Sequence, residues 1–116
     1  MPRVFLPEPL QRLDPSNAET FGDLRCLSSV SFNPFDMNAA YEFINENLDR
    51  VDFDPDEDYI AMSGGVVIQS LTLTAILVRY QRVKLLMWNT TSKKYFEKSL
   101  SLPYDRVIQK GNLKDV

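Results

Sequence analysis

The sequence predicts an α/β fold: a small mixed β-sheet with a right-handed βαβ crossover, an antiparallel edge strand and two main helices. The first observation is an apolar strand at Tyr59–Met62 that ends in Ser63-Gly64-Gly65. The second is Val66–Tyr80, whose fifteen residues are long for one strand and ordinary for a helix. The third is another apolar strand, Val83–Trp88, followed by the turn residues Asn89–Ser92 and a returning strand from Lys93 to Leu102. Two parallel strands joined by a helix form a right-handed crossover, and a tight turn makes the last strand antiparallel.

Taken in order, Arg3–Leu6 (RVFL) is a short strand blunted by Pro7 and Pro9. Residues 7–23 hold three prolines and several turn formers, and read as an irregular arm or loop. From Leu24 to Phe32, period-two spacing places Leu24, Cys26, Val30 and Phe32 on one face of a strand. Asn33-Pro34 breaks it, and Asp36 is placed to cap a helix over Met37–Leu48. Met37, Ala40, Tyr41, Ile44 and Leu48 recur at helical spacing there, and Phe43 reads as core beside them. Residues 49–58 then connect helix to strand with six carboxylates and one arginine, anchored by Phe53. The second helix is apolar all round, which predicts heavy burial, and Arg79 and Arg82 complement its dipole. Lys93, Lys94 and Lys98 suit an edge strand that must not pair with strangers. Residues 103–116 form a C-terminal tail, with one more short strand near Arg106–Gln109 or a path along the surface.

Composition bounds the chemistry. A chain of 116 residues, 44% hydrophobic and 25% charged, is expected to be one soluble globular domain. The longest apolar stretch, Val66–Val78, is interrupted by polar residues and is shorter than the ~20 residues a bilayer span requires. The N-terminus lacks the apolar run of a signal peptide, so a cytoplasmic location is expected. Histidine is absent, which removes Ser-His, Cys-His and histidine-ligated zinc chemistry. Cys26 is the single cysteine, so no intrachain disulfide forms, and it reads as a small core residue.

The net charge of −3 hides a lopsided layout: residues 1–78 carry −9 and residues 79–116 carry +6. Either neighbouring elements neutralise one another or the protein presents two surfaces of opposite sign.

Three segments are candidate sites. Ser63, Gly64 and Gly65 lie between a strand and a helix start, where backbone N–H groups can hold a small anion or nucleotide. The turn lacks the GxGxxG and GxxxxGK[ST] patterns, and an ordinary strand-to-helix connection uses the same residues. In the acidic connection, Asp52, Asp54, Asp56 and Glu57 offer a partner-binding surface, or else a solvated link. Its Asp-x-Asp-x-Asp spacing is not a calcium loop: Glu57 occupies the turn-glycine position, Pro55 stiffens the chain and Ser63 replaces the bidentate glutamate. Trp88, Lys93, Lys94 and Tyr95 interleave aromatic and basic groups, as in single-stranded nucleic-acid sites and also in cross-strand pairs that stabilise hairpins. No metal site and no cofactor are expected.

A resemblance adds context. Asp58-Tyr59-Ile60, Ser63-Gly64, Leu85-Leu86-Met87-Trp88-Asn89 and Tyr95, with Phe35-Asp36 upstream, resemble a family of small proteins encoded by tailed bacteriophages. That pattern has an acidic residue where this chain has Gly65 and another where it has Asn89. The resemblance implies a phage protein acting in an infected bacterial cell and transfers no catalytic residue. The leading expectation is therefore a non-enzymatic interaction module that modulates a host or phage protein. The alternatives are an anionic-ligand protein using Ser63-Gly64-Gly65 and a single-stranded nucleic-acid binder, each compatible with a homo-oligomer.

Overall fold

The computed structural model describes residues 2–7, 16–28, 35–63 and 65–103. Five strands form one sheet in the order β2-β1-β3-β4-β5: β1 Arg3–Leu6, β2 Asp23–Cys26, β3 Tyr59–Ala61, β4 Arg82–Asn89 and β5 Lys94–Ser101. The first four are parallel to their neighbours, and β5 is antiparallel to β4 and lies at the edge. The helices are α1, Met37–Arg50, and α2, Val66–Tyr80. The predicted mixed α/β sheet, its helical link between parallel strands and its antiparallel edge strand are all present.

Side-chain alternation along the strands divides the core in two. Phe5, Ile60, Val83 and Leu85 face α1 and α2, packing with Ile44, Leu48, Ile68, Ala75 and Ile76. Val4, Leu6, Tyr59, Ala61 and Leu86 face the other way and meet Ala18. Ala18 belongs to a 3-10 helix, Ser16–Thr20, in the segment expected to be irregular. The chain steps outward from β1 to β2, then back past β1 to β3. Crossovers of one hand place the elements on either side of such a reversal on opposite faces, and Ala18 of Ser16–Thr20 and Ile44 and Leu48 of α1 do lie on opposite faces. Gly22 admits the close approach before β2: a Cβ there would sit 2.5 Å from the Pro2 carbonyl oxygen.

Local sequence explains the helices. The Asp36 carboxylate accepts from the Ala39 backbone N–H at 3.1 Å, the expected N-cap. The helix runs past Leu48 to Arg50, and Val51 closes it by donating to the Asn47 carbonyl at 3.0 Å. Helix α2 has the predicted limits because Gln81 adopts a left-handed conformation (φ 62°) and ends it.

Several expectations are corrected. Strand β2 stops at Cys26, and Cys26 is exposed, while Leu27 takes the buried place. Leu27 turns to the helix side and joins the core with Phe5, while Cys26, opposite Leu6, is left on the other face of the edge strand; residues 29–34, with Val30 and Phe32, lie outside the described residues. Phe43 is exposed because the apolar stripe of α1 runs through Ala40, Ile44 and Leu48. Helix α2 is not buried all round: Val66 and Val78 are 79% and 68% exposed, since only one side meets the sheet and α1. Lys93 lies in the turn with φ 56°, so β5 begins at Lys94. The expected arm at residues 8–15 and the tail beyond residue 103 lie outside the described residues.

Thr72 on α2 is fully buried, and its Oγ1 has no hydrogen-bond partner among the described residues. A buried hydroxyl without a partner loses its hydration uncompensated. Thr72→Val is expected to raise stability by about 1 kcal/mol, read as a higher midpoint in urea unfolding.

Candidate functional site

The acidic connection is held in place along its whole length. After α1, Asp52 turns the chain with φ 53°, and Phe53 donates its N–H to the Leu48 carbonyl at 3.1 Å. The Phe53 ring is buried against Phe5 and Tyr80, with ring centroids 5.9 and 6.0 Å away. The next turn closes when Asp58 N–H donates to the Asp54 carbonyl at 2.8 Å and Asp56 N–H to Asp54 Oδ1 at 2.9 Å.

Asp58 is the centre of the loop. Its side chain is 1% exposed, and its carboxylate accepts from four N–H groups. Arg3 supplies Nη2 at 2.7 Å, Nε at 3.1 Å and its backbone N–H at 3.3 Å, and Asp54 supplies its N–H at 2.8 Å. Arg3 also donates to the carbonyls of Val51 at 2.8 Å and Asp52 at 3.0 Å. One guanidinium thereby joins the end of α1 to the start of β3. The hydrogen bonds to Asp58 raise the Arg3 pKa further above its ordinary value.

Two more arginines fix the flanks. Arg82 clasps Asp56 through two contacts of 2.7 and 3.0 Å, and Lys84 donates to the Asp56 carbonyl at 3.2 Å. Arg82 also donates to the Tyr80 carbonyl at 3.1 Å, so the expected interaction with the end of α2 accompanies the ion pair. Arg79 pairs with Asp49 and donates to the Asn45 carbonyl at 3.1 Å, tying α2 to α1. The opposite charges of the two parts of the sequence thus neutralise each other at this end of the sheet.

These pairs leave Asp52, Asp54 and Glu57 exposed, with no ion-pair partner among the described residues. They line a cleft of about 510 Å³ beside Arg3 and Pro55. Of the four acidic residues expected to meet a partner, Asp56 is therefore committed to Arg82.

The clasp lowers the Asp56 pKa below the ordinary carboxylate value, chiefly through hydrogen bonds from Arg82, with smaller attractions from Arg82 and Lys84 and desolvation opposing. A carboxylate with a depressed folded-state pKa contributes stability above its unfolded pKa, and that contribution is lost as pH falls through the folded value. Carboxyl NMR titration is expected to place the Asp56 midpoint below 3.8, and Arg82→Gln to move it back up.

The other two candidate sites lie elsewhere. Ser63 and Gly65 follow the C-terminal end of β3, whereas Asp58 precedes its start. The strand order reverses between β1 and β3, and open α/β sheets bind ligands outside the carboxyl ends of strands at such a point. Gly65 is the N-cap of α2 and gives it no side-chain cap. Ser63 is only 3% exposed, and its Oγ has no partner among the described residues; Gly64 lies outside them. Tyr95 is 4% exposed and meets Trp88 edge-on at 5.1 Å, within the core on the 3-10-helix side. Burial raises its phenol pKa. This pair builds the hairpin, and Lys93 and Lys94 lie exposed at its turn.

Among the described residues, no group of three acidic, cysteine or histidine side chains is placed to hold a metal ion, and no helix is long and apolar enough to cross a membrane. Sequence reasoning missed the buried Asp58–Arg3 pair. Its signal was that Arg3 opens RVFL while Asp58 immediately precedes Tyr59, at corresponding ends of adjacent parallel strands.

The molecule is a small doubly covered α/β-sheet protein with an arginine-braced acidic loop at the N-terminal end of its parallel strands. The chain belongs to the Phage Pam3 gp32-like protein family, whose model matches residues 4–102. The match covers both helices and every strand except Arg3, the first residue of β1, and bears out the resemblance to a phage protein family. No curated protein and no solved structure matches the chain.

Proposed function

We propose that this phage protein is a non-enzymatic interaction module that engages a basic surface on a host or phage protein through Asp52, Asp54 and Glu57. The observation that carries this reading is the bracing of the loop: Arg3, Arg79 and Arg82 fix the connection but leave those three carboxylates exposed. A charged surface already held in one conformation loses less entropy on binding than a loose loop does. Acid–base catalysis needs a carboxylate within reach of a substrate proton. The buried carboxylate here, Asp58, is 1% exposed and engaged by Arg3 and the Asp54 amide, which supports binding rather than turnover.

The test is affinity capture of the tagged protein from infected cells, beside the triple variant Asp52→Lys, Asp54→Lys, Glu57→Lys. A stoichiometric protein partner held by the wild type and lost by the folded triple variant is the expected result. Equal recovery of that partner by both proteins removes the acidic loop as the contact. Replacing Asp56 alone is a poorer test, because it releases Arg82 and disturbs the brace.

A further inference from the structure

Beside the acidic loop, the helix-covered face of the β1–β2 edge collects positive charge. Only four of the first 78 residues are Lys or Arg. Three of those four, Arg3, Arg25 and Arg50, line one pocket of about 410 Å³ together with Phe5, Cys26 and Val51. They are far apart in sequence, and the fold assembles them. The parallel register sets Phe5 opposite Arg25 and Arg3 opposite Asp23, so Arg3, Phe5 and Arg25 share one face. Arg50, the last residue of α1, reaches the Leu27 carbonyl beyond β2 at 3.2 Å.

The three guanidiniums differ in what already neutralises them. Arg3 is committed to Asp58 and lies over the Phe5 ring, 4.9 Å from its centroid. Arg25 makes only a loose contact with Asp23 at 3.9 Å, with both side chains more than half exposed. Arg50 has no carboxylate partner among the described residues; its Nε and Nη2 hold the Asn47 side-chain oxygen at 3.4 and 3.0 Å. The C-terminal carbonyls of α1 would oppose an anion here, but three of them and the carbonyl of Val51 already accept hydrogen bonds. Asn47, Leu48 and Asp49 accept from the amides of Val51, Phe53 and Asp52, and Val51 accepts from Arg3.

We infer that this pocket binds the phosphoryl group of a small molecule, with Arg25 and Arg50 as its ligands and Arg3 as a fixed wall. Planar guanidiniums match the oxygens of a phosphoryl group with paired donors, which lysines cannot do. The volume lies within the range of about 300–1,000 Å³ usual for small-molecule sites. This inference is independent of the partner proposed for the acidic loop.

The experiment is calorimetric titration of the intact chain with sodium pyrophosphate at constant ionic strength. Saturable binding is expected, weakened about tenfold in Arg25→Gln and also weakened in Arg50→Lys. Lys94→Gln, which removes one charge at the far edge of the sheet, is expected to leave it unchanged. No saturable heat at millimolar pyrophosphate overturns the inference. So does equal weakening by Arg25→Gln and Lys94→Gln, which is general charge attraction.

Discussion

Replacing Asp58 by Asn is expected to cost about 3–5 kcal/mol, the usual loss when one partner of a buried ion pair is removed. The substitution keeps the shape of the side chain but turns one of its two acceptors into a donor. Oδ2 now accepts from Arg3 at 2.7 Å and from the Asp54 N–H at 2.8 Å. An amide cannot satisfy both sides of that arrangement, and Arg3 would keep a charge without its counterion. Its side chain is 23% exposed, so water replaces only part of the loss. Urea unfolding measures the difference. A cost below about 1 kcal/mol would mean the pair behaves like an exposed surface bridge and does not brace the loop.

The second large effect is expected at Leu86, which is fully buried on β4. It lies opposite Ala61 of β3 and Glu97 of β5, on the face covered by the 3-10 helix. Leu86→Ala is expected to cost about 2–5 kcal/mol, combining lost burial with the cavity left behind. Met87, the next residue, points to the opposite face and is 39% exposed, so Met87→Ala is expected to cost much less. If the two variants unfold at the same denaturant concentration, the face behind the sheet is open and Ser16–Thr20 does not cover it.

What could be read in the sequence was what local chemistry determines. Gly65 and Gln81 bound α2, and Asp36 starts α1, because caps and turn formers act over three or four residues. The β4–β5 hairpin follows from two apolar strands and the turn at Asn89, whose side-chain oxygen accepts from the Thr91 and Ser92 amides at 2.9 and 3.3 Å. The end of β2 was not legible, since Leu27 rather than Cys26 turns inward where the chain leaves the sheet. Nor was the second covering layer, because five residues of 3-10 helix have no long periodicity to reveal them.

The candidate site shows the same division. The acidic character of residues 49–58 was plain, and so was the anchoring role of Phe53. Which carboxylates remain exposed depended on partners elsewhere: Asp58 meets a residue 55 positions away, Asp56 one 26 away and Asp49 one 30 away. The arginine pocket is a stronger case, for its three cations meet only once β1 and β2 are set in register and the end of α1 is packed beside them. Composition indicated that opposite charges could pair, but the sheet order decides which ones do.

The most direct test of the braced loop is amide hydrogen exchange of the purified chain, read residue by residue across 51–58. The Phe53, Asp54, Asp56 and Asp58 amides all donate within the loop or to the end of α1. If arginine pairing holds the loop as part of the fold, these amides are protected nearly as well as those of β3, and Asp58→Asn releases them. Exchange at the rate of an unstructured peptide while β3 stays protected would contradict the central claim, leaving Asp52, Asp54 and Glu57 on a loose loop.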